Sequence, residues 1–188
     1  MRVLWKESQL HPEVPDATYK RFLRYPPARA LEGPLAENAA WAREWYAGYG
    51  RPWSAGVQVE GVWYERLKGQ IPEGEAVVLI AASAGPEAEA EAARRWEADE
   101  PDRYFFLHCF AAAVVDELLA AARRRLGAKE HRCPGYLGWS VEENISLRSV
   151  LNDVRALAGP LDVLNTGMLQ PKLSQIAVCG TAFNLLTS

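Results

Sequence analysis

His131-Arg132-Cys133-Pro134-Gly135-Tyr136-Leu137-Gly138-Trp139 lies between two strongly helical segments and is the most informative stretch of the chain. Pro134 fixes its own φ and drives Cys133 toward extended backbone, while Gly135 and Gly138 permit geometries that a Cβ forbids. Tyr136 and Trp139 flank the glycines. On composition the stretch reads as a Pro-Gly turn whose aromatics plug into the core. The same residues, with backbone N–H groups beside aromatic faces and basic side chains, also suit a small ligand that carries a carboxylate and a flat ring. Both readings stand at this point.

On its amino-terminal side, Leu107, Phe110, Val114, Leu118 and Ala121 recur at three- and four-residue intervals, which predicts a long, central, largely buried helix from Pro101 to Leu126. Asp116 falls on its middle turns amid alanines and valines, where a carboxylate needs solvent or a partner. Arg123-Arg124-Arg125 crowd the last turn, where cations complement the helix dipole. On the carboxy-terminal side, Ser140-Val141-Glu142-Glu143 reads as a capping box opening a helix through Leu157, ended by Gly159-Pro160. A turn at Asn165-Thr166-Gly167 follows, and Ser174 to Gly180 alternates like a half-buried strand.

Farther out, residues 1–15 read as an extended lead-in, and Asp16 as the cap of a short helix that Pro26-Pro27 stops. A helix after Pro34 carries Trp41, Trp45 and Tyr49 at four-residue spacing, a core or interface stripe. Val57, Val59, Val62 and Tyr64 around Glu60-Gly61 predict paired strands about a tight turn. The unbroken apolar run Ala76 to Ala82 predicts a strand buried on both faces. Pro86 then opens a helix to about Ala98. The single Gly85 between that strand and helix satisfies neither G-x-G-x-x-G nor a P-loop.

The chain has 188 residues, 49% of them hydrophobic, enough for one domain with a sizeable core. A formal net charge of -3 offers no broad attraction to nucleic acid or anionic lipid. Cys109, Cys133 and Cys179 are odd in number and form no CxxC pair, as expected of reduced thiols in a cytoplasmic protein. No apolar run approaches the ~20 residues of a membrane span, and the amino terminus has no signal-peptide pattern. His108-Cys109 and His131-x-Cys133 are too sparse to specify a metal site. A Cys133–His131 nucleophile pair stays open as a remote alternative.

In this order, the segments resemble the reactivation domain of cobalamin-dependent methionine synthase, in particular its shorter, free-standing relatives, over roughly Tyr19 to Gly180. His131-Arg132-Cys133-Pro134-Gly135-Tyr136 is similar to the family's Arg-x-(Ser or Ala)-Pro-Gly-Tyr motif, with His131 on the arginine and Arg132 one residue later. Leu107 to Leu118 looks like the family's Leu-Asp-x-x-Gly-Ser-x-x-x-Glu-x-Leu helix, with Asp116 on the glutamate. Leu164 to Ser174 is similar to a Leu-Thr-Glu-Ser-x-x-Met-x-Pro-x-x-Ser segment, one residue shorter.

The resemblance implies an α+β fold, a single domain over residues 1–188 in which helices pack a twisted, mainly antiparallel sheet. It implies that His131, Arg132, Cys133, Pro134, Gly135 and Tyr136, with Asp116 opposite, hold S-adenosylmethionine. Pro134, Gly135 and Tyr136 then contact the ligand, Arg132 or His131 meets its carboxylate, and Asp116 lies near its amino or ribose group. The implied role is reductive remethylation of cobalamin held by a partner, either a methionine synthase catalytic component or another corrinoid-binding protein, with a flavodoxin-like reductant supplying the electron. Such a protein supplies orientation and no acid, base or metal. The alternative is a diverged relative that keeps the fold as a binding or interaction protein without methyl transfer.

Overall fold

Ala76–Ser83 (β3) is buried along its whole length, as its unbroken apolar run predicts, and the other strands are arranged around it. The computed structural model describes residues 1–136 and 138–181. β3 lies between Trp53–Gln58 (β2) and Ser174–Thr181 (β7). Arg2–Ser8 (β1) forms one edge and the two-residue His131–Arg132 (β4) the other, in the order β1-β2-β3-β7-β4 with every neighbouring pair antiparallel. Alternate β3 side chains feed two separate cores, Val78, Ile80 and Ala82 on one face and Val77, Leu79 and Ala81 on the other. Each fully buried Leu or Ile here contributes roughly 1.5–3 kcal/mol.

The first face is covered by Asp16–Phe22 (α1), Pro34–Tyr49 (α2), Pro86–Glu97 (α4) and Pro101–Leu126 (α5). The second carries Val62–Leu67 (α3), prolonged by a 3-10 turn at Lys68–Gln70, then Glu143–Asp153 (α6) and a small hairpin of Asp162–Val163 (β5) and Leu169–Gln170 (β6). α5 runs over the span expected of it. Pro101 occupies its first turn, and Gly127 at φ 62° ends it in the left-handed region, where a Cβ is disfavoured. By length and composition α5 is apolar enough to cross a membrane, with an 18-residue window at mean hydropathy 1.7, which a search for unbroken apolar runs overlooks; 61% of that window is buried inside the protein.

Several expectations are corrected. The strands expected around Glu60-Gly61 do not pair with each other: Gly61 leads into α3, and β2 pairs with β1 and β3. The supposed lead-in therefore supplies an edge strand, anchored where Trp5 lies across Gly56 and donates to Ser54 Oγ at 3.1 Å. α1 and α6 begin without side-chain caps, α1 already ends at Phe22 and α6 at Asp153. The fully buried face of α2 is Ala39, Ala42 and Tyr46; of the expected aromatic stripe, Trp41 and Trp45 are partly buried against the same core and Tyr49 is exposed. Trp41 also lies beneath the guanidinium groups of Arg95 and Arg103, at 5.0 and 5.2 Å from its ring centre. β7 is buried on both faces from Ile176 onward because a core lies on either side of it.

Candidate functional site

β4 pairs only with Val178 and Cys179, whereas β3 pairs with the whole of β7. Beyond Arg132 the chain leaves the sheet at Pro134, which has no N–H to continue the ladder. The first half of β7 thus has a strand on one side only, and a cleft of about 450 Å³ opens there. Phe22, Ala112, Val115 and Leu119 form its apolar wall. Asp116, one turn on from Ala112, brings a carboxylate to that wall, and His131, Arg132, Cys133 and Tyr136 also line the cleft. Residues 172–175 complete the lining. Three segments remote in sequence thereby meet in one cleft.

A second cleft of about 330 Å³ shares Tyr136, Lys172, Ser174 and Gln175 with the first. Pro134 lines this one, together with Asn144 of α6 and Ile176. Gly135 is among the lining residues of neither. Its φ of 89° shapes the turn: Gly135 N–H donates to Trp139 O at 2.7 Å, Trp139 N–H to Tyr136 O at 3.0 Å, and Tyr136 N–H to Cys133 O at 3.2 Å. Of the backbone N–H groups that the loop was expected to display, those of Gly135, Tyr136 and Trp139 are used within the turn itself. The aromatics divide. Trp139 packs partly against the second core, while Tyr136 is 64% exposed at the junction of the two clefts.

No family model matches this chain, and no curated protein matches it. Among solved structures it is similar to a crystal structure of the MetH reactivation domain bound to AdoHcy, with a TM-score of 0.59 and 8% sequence identity. The match covers 78% of this chain and 64% of that one, so it spans a little under two thirds of the neighbour. The chain has the fold of the MetH reactivation domain.

On this MetH reactivation domain fold the cleft carries an uneven set of charges. Asp116 Oδ2 accepts from Arg21 Nη2 at 2.5 Å. Arg132 is exposed and pairs with no carboxylate among the described residues. Burial, then the neighbouring Arg123, holds the His131 imidazolium below its ordinary range, with Asp116 opposing, so the ring is neutral near pH 7. Its Nδ1 is buried without a hydrogen-bond partner. A neutral ring makes a poor carboxylate anchor, which leaves Arg132 as the better of the two expected cations.

Burial pushes the Cys133 thiol up to about 12, a hydrogen bond with Gln175 partly opposing. A protonated, buried thiol and a neutral imidazole are the reverse of an activated nucleophile pair, which speaks against the cysteine-based alternative. No group of three or more His, Cys, Asp or Glu able to hold a metal occurs among the described residues.

Sequence reasoning missed Phe22, Lys172 and Gln175 in the first cleft and Asn144 in the second. Lys172 sat within the Leu164 to Ser174 segment without a role. Its backbone N–H donates to Glu89 Oε2 at 2.9 Å and its ammonium lies 3.6 Å from Glu89 Oε1, while the residue lines both clefts.

Proposed function

We propose that the cleft binds S-adenosylmethionine and its demethylated product AdoHcy, and that the protein presents the methyl group for remethylation of cobalamin on a partner. The observation carrying this reading is that the α5, 131–136 and 172–175 segments converge on one cleft, in a fold shared with a domain bound to AdoHcy. The residues fit such a ligand: the volume suits a small-molecule site, and Arg132, which pairs with no carboxylate among the described residues, lines it together with Asp116. Bound S-adenosylmethionine supplies an electrophilic methyl group.

The chain's own residues bind and orient. Arg132 pairs with the ligand's carboxylate, Asp116 accepts from its ammonium group alongside Arg21, and Tyr136 packs on its apolar surface. No side chain moves a proton, since transfer from sulfonium to a reduced cobalt needs neither acid nor base. The cobalamin belongs to a corrinoid-binding protein or a methionine synthase catalytic component, and a flavodoxin-like donor reduces it. Calorimetry of the purified protein with S-adenosylmethionine and AdoHcy tests the reading: saturable heat with either is expected, and neither heat nor thermal stabilisation at millimolar ligand overturns it.

A second reading, a binding protein of the same fold without methyl transfer, is favoured by the turn that keeps the Gly135 and Tyr136 N–H groups for itself. Saturable AdoHcy binding with no single-turnover methylation of a reduced corrinoid protein would select it.

A further inference from the structure

The second cleft opens on the other side of β7 from the first. Leu169 and Ile176 in its lining belong to the core beneath α6, whereas Cys133 and Leu173 of the first cleft belong to the core beneath α5. Pro134, Val141, Met168 and Ile176 give it apolar walls, and Tyr136 stands between the two spaces.

Lys172, Ser174 and Gln175 supply polar surface as well, and of the polar residues that line the cleft Asn144 is the buried one. Asn144 is 5% exposed, and its Nδ2 donates to Gly167 O at 3.0 Å. A carbonyl oxygen can meet only the NH2 end of the amide, so this bond fixes which end is oxygen. Oδ1 is then a buried acceptor with no hydrogen-bond partner. Gly167 holds the arrangement in register: its φ is 80°, and a Cβ there would lie 2.4 Å from Val141 O. The hairpin turn is thus pressed against the start of α6, and Asn144 has little freedom to turn its oxygen elsewhere. Buried polar atoms are nearly always satisfied, and an orphan at a cleft marks where a ligand donor is wanted.

We infer that this second cleft holds the adenine ring of the S-adenosyl ligand and that Asn144 Oδ1 accepts from its exocyclic amine. The inference rests on the ligand reading proposed above and adds the group that selects the base. The apolar residues Pro134, Val141, Met168 and Ile176 and the exposed Tyr136 ring offer surface to a flat heterocycle, and a buried acceptor distinguishes an amino group from an oxo group at the same position. An oxopurine would set its carbonyl oxygen against Oδ1, with no proton between them.

The test compares AdoHcy with S-inosylhomocysteine, in which the adenine amine is replaced by oxygen, by calorimetry on the full chain and on Asn144→Ala. Wild type is expected to bind AdoHcy roughly tenfold to a hundredfold more tightly than the inosyl analogue. In Asn144→Ala the ratio should shrink to about threefold or less. Equal affinities in wild type overturn the inference and leave the ligand reading standing. Binding of neither ligand overturns the ligand reading itself. Full discrimination retained in Asn144→Ala assigns the selection to another group and overturns the role of Asn144. Because the variant also loses the bond to Gly167, its melting curve is recorded alongside, and the wild-type ratio provides a test that needs no variant.

Discussion

Arg21 Nη2 stands 2.5 Å from Asp116 Oδ2, so the last turn of α1 is tied to the middle of α5 at the rim of the first cleft. The two side chains are 62% and 37% exposed, and an ion pair so accessible to water contributes at most about 1 kcal/mol to stability. Asp116→Asn should therefore change the unfolding free energy by less than about 1 kcal/mol while weakening S-adenosyl ligands by about 1.5–3 kcal/mol, the range of hydrogen bonds to charged groups. Denaturant titration and calorimetry on the same preparation check both halves. A large stability loss with unchanged affinity would make the residue structural.

Tyr136→Ala removes a ring that is mostly in water, so the melting temperature should hardly move. Ligand affinity should fall by about 1–3 kcal/mol, as expected when an aromatic face loses its packing partner. Unchanged affinity would take Tyr136 out of the site.

With its thiol pushed up to about 12, Cys133 should be about one part in ten thousand thiolate at pH 8. A maleimide or aromatic disulfide probe should label it only after denaturation, and mass spectrometry of the tryptic peptides reads this directly. Rapid labelling of the native protein would contradict the buried environment.

Burial lowers the pKa of both His108 and His131 in the folded state, with Lys172 adding to the effect at His108 and Arg123 at His131. The unfolded chain then takes up protons first as the pH drops below 6.5, the ordinary value, so stability present above that pH is lost as it falls toward the folded-state values. Melting temperatures from pH 7.5 to 5 should decline, and the decline should flatten in a His108→Gln, His131→Gln double variant. An unaltered slope would assign the acid sensitivity to carboxylates.

At the far edge of the sheet, a Cβ on Gly56 would lie 2.2 Å from the Trp5 indole. Gly56→Ala should cost about 1–3 kcal/mol or more by overpacking, and adding Trp5→Leu should recover part of it. A neutral Gly56→Ala would mean that β1 is held by its ladder alone.

The parts of the fold legible in the chain are those whose cause is local. α5 announces both ends through Pro101 and Gly127, and β3 announces its double burial through an unbroken apolar run. β1 hides because Arg2, Lys6, Glu7 and Ser8 are an edge strand's solvent-facing residues, and its partner lies some fifty residues away. Val62 and Tyr64 misled because a six-residue helix is too short to establish a period. At the site, Asp116 and the 131–136 stretch were legible by resemblance, and the structure brings Asp116, His131, Arg132, Cys133 and Tyr136 to one cleft. Asn144 was not, because its importance lies in one amide oxygen left over after Gly167 takes the other end, which only tertiary packing decides. The retention of the loop's N–H groups was likewise invisible, since it depends on torsions at Gly135 that composition permits and does not require.

Two clefts on opposite faces of β7, meeting at Tyr136, Lys172, Ser174 and Gln175, make the open end of the sheet a place where one small molecule can act as a rivet. A ligand reaching into both touches α5 on one side and α6 with its hairpin on the other, layers otherwise joined through the strand between them. At a hundred times its dissociation constant such a molecule adds about 2.7 kcal/mol against any opening that separates those layers. Occupancy would then be written into hydrogen exchange at Glu143–Asp153, far from the helix that carries Asp116, and the thinner face of the protein would report whether the site is filled.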